Sequence, residues 1–173
     1  MNALLESPLP EAPSKTSHQL KEKILLVDDE PAIRRVLTRI LAGEGYNVLP
    51  ATNGVEALEF AAHGDFDLVL LDLNMPGMNG WDTFEKLTSK NPLLPIIVIT
   101  ARPNQRFTAL AAGIGALMEK PLDLQKLFLT IRDLLDEPVD VRLARLAGRQ
   151  SEFHYVPPKL KESAEGTKTW RNH

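Results

Sequence analysis

Between residues 23 and 136, short aliphatic runs alternate with segments in which apolar residues recur at helical spacing. Three of these runs are nearly continuous Val, Ile and Leu, which is typical of strands covered on both faces. The runs are KILLVDD (23–29), NVLPA (47–51), DLVLLD (67–72), PIIVIT (95–100) and ALMEK (116–120). Because right-handed crossovers place helices on both sides of a parallel sheet, the alternation predicts an α/β fold of five β–α units.

Five amphipathic segments follow the runs. Pro31 suits the first turn of a helix, and the glycines of GEGY (43–46) suit a left-handed cap at its end. The aromatic side chains of Trp81, Phe84 and Phe107 are expected to lie in the core or half-buried on their helices. The positions that mark the five helices are Ile33, Val36, Leu37, Ile40 and Leu41; Val55 and Leu58; Trp81, Phe84 and Leu87; Phe107, Leu110 and Ala111; and Leu124, Leu127, Phe128, Ile131, Leu134 and Leu135.

Both ends of the chain differ in character from its centre. Residues 1–22 carry three prolines without periodicity and are interpreted as a flexible tail before a domain at 23–136. In the C-terminal tail, 137–173, a short amphipathic helix is expected at about 138–148, followed by a mostly disordered end. We interpret the arginines of this helix as a solvated face, with a partner-docking helix as the alternative. They are Arg142, Arg145 and Arg149.

Composition excludes several classes of site and partner. The chain has no cysteine, which rules out disulfides, thiolate metal sites and cysteine nucleophiles. Its formal net charge of -3 gives no general attraction to nucleic acid or anionic membranes. The apolar runs are too short to span a bilayer, and the N-terminus does not resemble a signal peptide. We therefore expect a soluble, cytoplasmic protein.

Polar residues stand at the ends of four predicted strands. The first strand ends in Asp28 and Asp29, the third in Asp72, the fourth in Thr100, and the fifth in Lys120. Parallel strands finish at one edge of a sheet, where ligands of such folds bind, so these side chains are expected to meet. Three carboxylates in one crevice repel each other unless a hard cation such as Mg²⁺ neutralises them.

This set of groups suits phosphoryl chemistry. A lysine, a hydroxyl group, a backbone N–H and Mg²⁺ together satisfy the oxygens of a phosphoryl group. An aspartate can act as the nucleophile and form an aspartyl phosphate. Taken singly, the residues have structural readings that stay open. Asp28 and Asp29 could cap the helix at Pro31, and Asp72 could begin an Asx turn.

Four blocks of the sequence together resemble the receiver domain of two-component response regulators. They are ILLVDDEPAIRRVL, LVLLDLNMPGMNGW, PIIVITA and ALMEKP, which occur in that family's order and spacing. The resemblance covers residues 23 to about 136. It implies a flavodoxin-like, doubly wound (βα)5 fold with a five-stranded parallel sheet in the order 2-1-3-4-5 and helices on both faces.

The resemblance also implies a metal centre around an acceptor residue. Asp72 would be the phosphoacceptor and a Mg²⁺ ligand. Asp29 would bind the ion directly, Asp28 mainly through water, and Asn74 through its backbone carbonyl. Asn74, with Arg102, would also tune the lifetime of the phosphoryl group.

Lys120, Thr100 and the backbone N–H of Ala101 would contact the phosphoryl oxygens, and Lys120 would precede a cis peptide bond to Pro121. Thr100 would also be the hydroxyl group that switches position on phosphorylation. One position departs from the family pattern. Leu117 stands where an aromatic ring usually moves with the switching hydroxyl, so this chain is expected to couple the two differently.

The function implied is that of a signalling protein, with no enzymatic activity beyond its own phosphorylation and dephosphorylation. A sensor histidine kinase or a histidine phosphotransfer protein would phosphorylate Asp72, and the product would bind a downstream protein. One alternative is an Asp-nucleophile phosphatase, although Asp72-Leu73-Asn74 follows the third strand and lacks the Asp-x-Asp of the haloacid-dehalogenase type. Another is a transcription regulator acting through the tail. The 37 residues from Glu137 include one plausible short helix, and a helix-turn-helix unit needs more ordered helix than that, so DNA binding is not expected.

Overall fold

Six parallel strands of the described residues form one sheet, in the order β2-β1-β3-β4-β5-β6. The computed structural model describes residues 21–102, 104–148 and 153–159. The strands are β1 (Lys23–Val27), β2 (Asn47–Ala51), β3 (Leu68–Asp72), β4 (Ile96–Thr100), β5 (Ala116–Glu119) and β6 (His154–Val156). The helices are α1 (Pro31–Gly43), α2 (Gly54–His63), α3 (Gly80–Lys90), α4 (Arg106–Ala111), α5 (Leu124–Leu135) and α6 (Val139–Leu146).

The first five strands confirm the predicted order 2-1-3-4-5, with all pairs parallel. Side chains of a strand alternate between the two faces of the sheet, so each aliphatic run contributes residues to two separate hydrophobic cores. Leu25 and Val27 pack with residues of α2, α3 and α4 on one face. Ile24 and Leu26 pack with residues of α1 and α5 on the other. This two-sided burial explains why the runs lack polar alternation.

Polar side chains fix where three of the helices begin. Asn53 caps α2 by accepting from the Glu56 N–H at 3.0 Å. Asn79 caps α3 by accepting from the Asp82 N–H at 2.9 Å, and Asp123 caps α5. Each cap satisfies an N–H group that has no partner inside its helix. Helix α1 starts at Pro31 as predicted, and no side chain caps it.

The C-terminal helix α6 lies within the predicted interval 138–148, but two of its arginines are not solvated. The side chains of Arg142 and Arg145 are only 12% and 7% exposed. Both pair with Glu137, and they also donate to the carbonyl oxygens of Leu93, Leu134 and Gly113. The interpretation of a solvated face was therefore wrong for these two, while Arg149 lies outside the described residues.

Strand β6 was not predicted. His154–Val156 pairs in parallel with β5, so reading the end of the chain as mostly disordered was wrong for this segment. Residues 1–20 and 160–173 lie outside the described residues, and the expectations for them stay predictions. Phe107 was also misplaced, because its side chain is 83% exposed and Ala109 is the buried residue of α4. In the described part of the chain, no helix is long and apolar enough to cross a membrane.

Candidate metal centre and acceptor carboxylate

The carboxyl ends of β1, β3, β4 and β5 bring together the residues predicted to meet there. Lys120 Nζ lies 2.6 Å from Asp72 Oδ2 and 3.2 Å from Asp28 Oδ2. Asp28, Asp72 and Thr100 are buried, while Lys120 and Asp29 are partly exposed. The site is thus a crevice at the end of the sheet, with buried carboxylates at its base and two partly exposed charged side chains, Asp29 and Lys120, facing solvent.

Three carboxylates in this crevice form a set suited to a divalent cation. One oxygen from each of Asp28, Asp29 and Asp72 lies within 4.8 Å of the other two. Lys120 balances one of their three negative charges, and hard oxygen donors with the remaining charge suit Mg²⁺. The Asn74 side-chain oxygen is buried and has no hydrogen-bond partner among the described residues, which adds an unused acceptor nearby. The residues present therefore fit the ion.

Backbone contacts hold Asp72 at the sheet edge. It is the last residue of β3 and stands opposite Ile99 of β4, and Leu73 N–H donates to the Ile99 carbonyl at 2.9 Å. Asn74 N–H donates to Asp72 Oδ1 at 2.9 Å, so the following loop orients the carboxylate. Gly80 passes so close that a Cβ there would lie 2.6 Å from the Asp72 carbonyl oxygen.

Burial and charge act in opposite directions on the ionisable groups of the site. Burial alone would lower the pKa of Lys120, but the hydrogen bond and charge of Asp72, with the charge of Asp28, raise it above its ordinary value. The Lys120 side chain is therefore protonated at neutral pH. Burial raises the pKa of Asp28, and the Glu30 N–H and Lys120 offset only part of this effect. Asp28 Oδ1 accepts from that N–H at 2.8 Å.

The candidate switch residues lie on β4, on β5 and in the loop after β4. Thr100 Oγ1 accepts from the Arg102 N–H at 2.9 Å, and the Lys120 N–H donates to the Thr100 carbonyl at 2.8 Å. Ala101 and Arg102 are exposed after the end of β4. Leu117 is fully buried in the core on the α4 side of the sheet. The Lys120–Pro121 peptide bond is cis, as the resemblance implied.

Tyr155 contacts Glu119, the residue before Lys120, and was not predicted from the sequence. It stands opposite Leu117 in the β5–β6 register, and its hydroxyl donates to Glu119 Oε1 at 3.1 Å. The guanidinium carbon of Arg106 lies 5.0 Å from the centre of its ring. The only sequence signal was the triplet HYV, an aromatic and a β-branched residue in a polar stretch.

Comparisons with known sequences point to one family. A family model described as the response regulator receiver domain matches residues 24–132. The response regulator MprA of Mycobacterium leprae is 42% identical over 115 residues, which are 65% of this chain and 50% of that protein. A Bacillus subtilis protein named uncharacterized transcriptional regulatory protein YkoG is 38% identical over 117 residues, 66% of this chain and 51% of that protein. The chain thus spans about half the length of these relatives.

Solved structures agree with the sequence comparisons. A CheY-like receiver domain protein from Methanospirillum hungatei JF-1 matches with a TM-score of 0.63 and 33% identity, over 67% of this chain and 94% of that chain. The response regulator TrrA of Thermotoga maritima, solved in complex with Mg(2+)-BeF, matches with a TM-score of 0.61 and 35% identity, over 65% of this chain and 98% of that chain. These likenesses confirm the flavodoxin-like fold. Since the family model covers more than half of the chain, the protein belongs to the response regulator receiver domain family.

Proposed function

We propose that this receiver domain is a phosphoacceptor that takes a phosphoryl group onto Asp72 in a Mg²⁺-dependent step. The observation that carries the proposal is the position of the Asp72 carboxylate, 2.6 Å from Lys120 Nζ and grouped with Asp28 and Asp29. The donor would be the phosphohistidine of a sensor kinase or of a phosphotransfer protein. The chain's chemistry would be limited to its own phosphorylation and dephosphorylation, since receiver domains are generally not enzymes.

The transfer would be a substitution at phosphorus. A carboxylate oxygen of Asp72 forms a bond to phosphorus while the phosphorus–nitrogen bond of the donor breaks and the imidazole leaves. Lys120 then exchanges its bond to Asp72 for one to a phosphoryl oxygen, which keeps its charge paired. The Thr100 hydroxyl and the Ala101 N–H, both at the end of β4, donate to the other oxygens.

The metal would be held by this chain's oxygen atoms beside the acceptor. Asp29 and Asp72 would contact Mg²⁺ directly, Asp28 mainly through water, and Asn74 through its backbone carbonyl. When bound, the ion would offset negative charge on the carboxylate and on the phosphoryl group. Asn74 and Arg102 flank the acceptor and the switch hydroxyl, so we assign them an influence on the rate at which the phosphoryl group is lost.

An apolar groove next to the site offers a place for the donor. It has a volume of about 390 Å³ and lies between α1 and the loop after Lys120. Ile33, Val36, Pro121 and Leu124 are among its lining residues, and Val36 is 55% exposed. A helix that presents its histidine beside an apolar face would fit such a groove.

Incubation with Mg²⁺ and a small acyl phosphate tests the proposal. We expect a mass gain of one phosphate that is absent in Asp72→Asn and retained in an exposed control, Asp82→Asn. A gain that survives Asp72→Asn would overturn the assignment. Catalytic turnover of a simple phosphate ester would instead favour the phosphatase alternative.

Transcription regulation is a second candidate, favoured by the name of the Bacillus subtilis relative. The chain spans only about half of that protein, so the expectation that DNA binding is absent has no support. Electrophoretic assays with genomic fragments would test this function. Binding that weakens as salt rises and that changes on phosphorylation would support it, and its absence in both forms would exclude it.

A further inference from the structure

The chain's own C-terminal segment, 153–159, covers the outer edge of β5. His154, Tyr155 and Val156 stand opposite Ala116, Leu117 and Met118 in the ladder. Beyond β6, the Lys159 N–H donates to the Pro121 carbonyl at 2.9 Å. The segment therefore runs from the start of β5 to the loop that carries Lys120. An uncovered edge strand presents unpaired N–H and C=O groups, which this arrangement blocks.

Tyr155 ties this segment to two other elements. Its hydroxyl donates to Glu119 at the end of β5, and its ring lies against Arg106, the first residue of α4. The side chain of Leu117, its neighbour on β5, can make neither a hydrogen bond nor a cation–π contact. The aromatic group bonded to Glu119, the register partner of Thr100, is therefore carried by β6, one strand further out than the family pattern implied.

The strand register joins Thr100 to this ring, because Thr100 stands opposite Glu119, the residue that accepts from the Tyr155 hydroxyl. The Thr100 hydroxyl accepts from the Arg102 N–H at the start of the loop that leads to Arg106. In the same loop, Gln105 Oε1 accepts from Trp81 Nε1 at 3.2 Å, which anchors the loop to α3. With Gln105 still anchored, movement of the Thr100 hydroxyl toward a phosphoryl group would break its bond to the Arg102 N–H and reach the Tyr155 ring through Glu119.

We propose that Tyr155 and β6 form a latch that is closed in the unphosphorylated protein and opens when Asp72 is phosphorylated. The inference rests on the proposed function. Thr100 leaves the Arg102 N–H, the end of β4 shifts against Glu119, Tyr155 loses its contacts with Glu119 and Arg106, and β6 loosens from β5. Phosphorylation would thereby expose the edge of β5 that β6 covers in the unphosphorylated protein.

Coupling between two sites is reciprocal, which gives the latch a second readout. If phosphorylation opens the latch, a variant with an open latch must bind a phosphoryl mimic more tightly. With beryllofluoride and Mg²⁺ as the probe, Tyr155→Leu should bind roughly fivefold more tightly than the parent protein. Tyr155→Phe keeps the cation–π contact and loses only the Glu119 bond, so its shift should be smaller.

The test is amide hydrogen exchange of the full chain, with and without Mg²⁺ and beryllofluoride. We expect exchange of the 116–118 and 154–156 amides to speed up severalfold on addition of the mimic. In Tyr155→Leu it should be fast from the start and change little. Phe66→Leu is the matched control, because Lys23 lies 4.6 Å from that ring at a distant part of the sheet. Its exchange at β5 and β6 should follow the parent protein.

The outcomes separate this inference from the proposed function. Beryllofluoride binding without faster exchange at β6, or with unchanged affinity in Tyr155→Leu, would overturn the latch and leave the phosphoacceptor assignment standing. If Tyr155→Leu does not fold, Arg106→Gln and Tyr155→Phe carry the same comparison. Absence of both mimic binding and phosphate incorporation would overturn the proposed function and the latch together.

Discussion

Lys120 Nζ and Asp72 Oδ2 lie 2.6 Å apart, although the two residues are 48 positions apart in sequence. The pair forms because β3 and β5 both end at the same edge of the sheet, with β4 between them. It holds the Asp72 carboxylate in place and keeps a cation next to the position where the proposed phosphoryl group would arrive. In the proposed transfer the ammonium group changes partner without leaving the site.

Replacing Lys120 with methionine should slow phosphorylation by roughly 10- to 100-fold, because a hydrogen bond to a charged group contributes about 1.5–3 kcal/mol. The same change removes the cation that competes for the carboxylates, so Mg²⁺ should bind more tightly. Phosphorylation by an acyl phosphate and metal titration measure the two effects. Lys126→Met, on the exposed side of α5, is the control and should match the parent protein in both.

Gly80→Ala should displace the end of β3. The added Cβ would meet the Asp72 carbonyl oxygen at 2.6 Å, and such overpacking costs about 1–3 kcal/mol. Urea unfolding should reveal the lost stability, and the rate of phosphorylation should fall with it. Gly43→Ala in α1 meets nothing within 4 Å and should leave both unchanged or slightly improved. Equal behaviour of the two variants would contradict the close approach of α3 to Asp72.

Glu137 should make the attachment of α6 sensitive to acid. Burial alone would raise the pKa of this group, but hydrogen bonds from Arg145 and Arg142 outweigh burial and lower it. A lowered pKa in the folded state means that the stabilisation is complete above the ordinary value of 4.5 and is lost as pH falls through the folded-state pKa.

Near neutral pH, Glu137→Gln should therefore reduce the free energy of unfolding by about 3 kcal/mol, because it leaves two largely buried arginines without their anion. The difference from the parent protein should shrink below pH 4.5, the ordinary value for this side chain. Urea unfolding at a series of pH values checks this, with the exposed Glu85→Gln as control. A difference that stays constant with pH would refute the ion-pair account.

Phe107→Ser should change the free energy of unfolding by less than about 0.5 kcal/mol, because that ring is 83% exposed. Phe84→Ala, which removes a ring only 7% exposed, should cost about 3–5 kcal/mol. Thermal or urea unfolding of the two variants compares them directly. A large loss in Phe107→Ser would mean that the ring is covered in solution.

The meeting of Asp28, Asp72, Thr100 and Lys120 could be predicted because it depends only on parallel strands ending at one edge. The aliphatic runs determine the strands, and Pro31 marks the start of α1 correctly. These features are local in sequence, or follow from the handedness of crossovers. Their prediction needs no knowledge of side-chain contacts.

The remaining features depend on contacts between distant parts of the chain. Strand β6 has three residues, too few for a period-2 pattern, and exists because the β5 edge accepts it. Burial of Arg142 and Arg145 requires Glu137 and the carbonyl groups of other elements. In the six residues of α4, apolar spacing could not decide which face is buried, so Phe107 was assigned to the wrong one.

Mapping the phosphoryl group to a residue tests the central claim most directly. The full chain would be treated with an acyl phosphate in Mg²⁺ or in excess chelator, then digested and analysed by mass spectrometry. We predict one phosphoryl group, on Asp72, that forms in Mg²⁺ and is nearly absent with chelator. A phosphoryl group on another residue, or equal labelling of Asp72 without Mg²⁺, would contradict the account of the site.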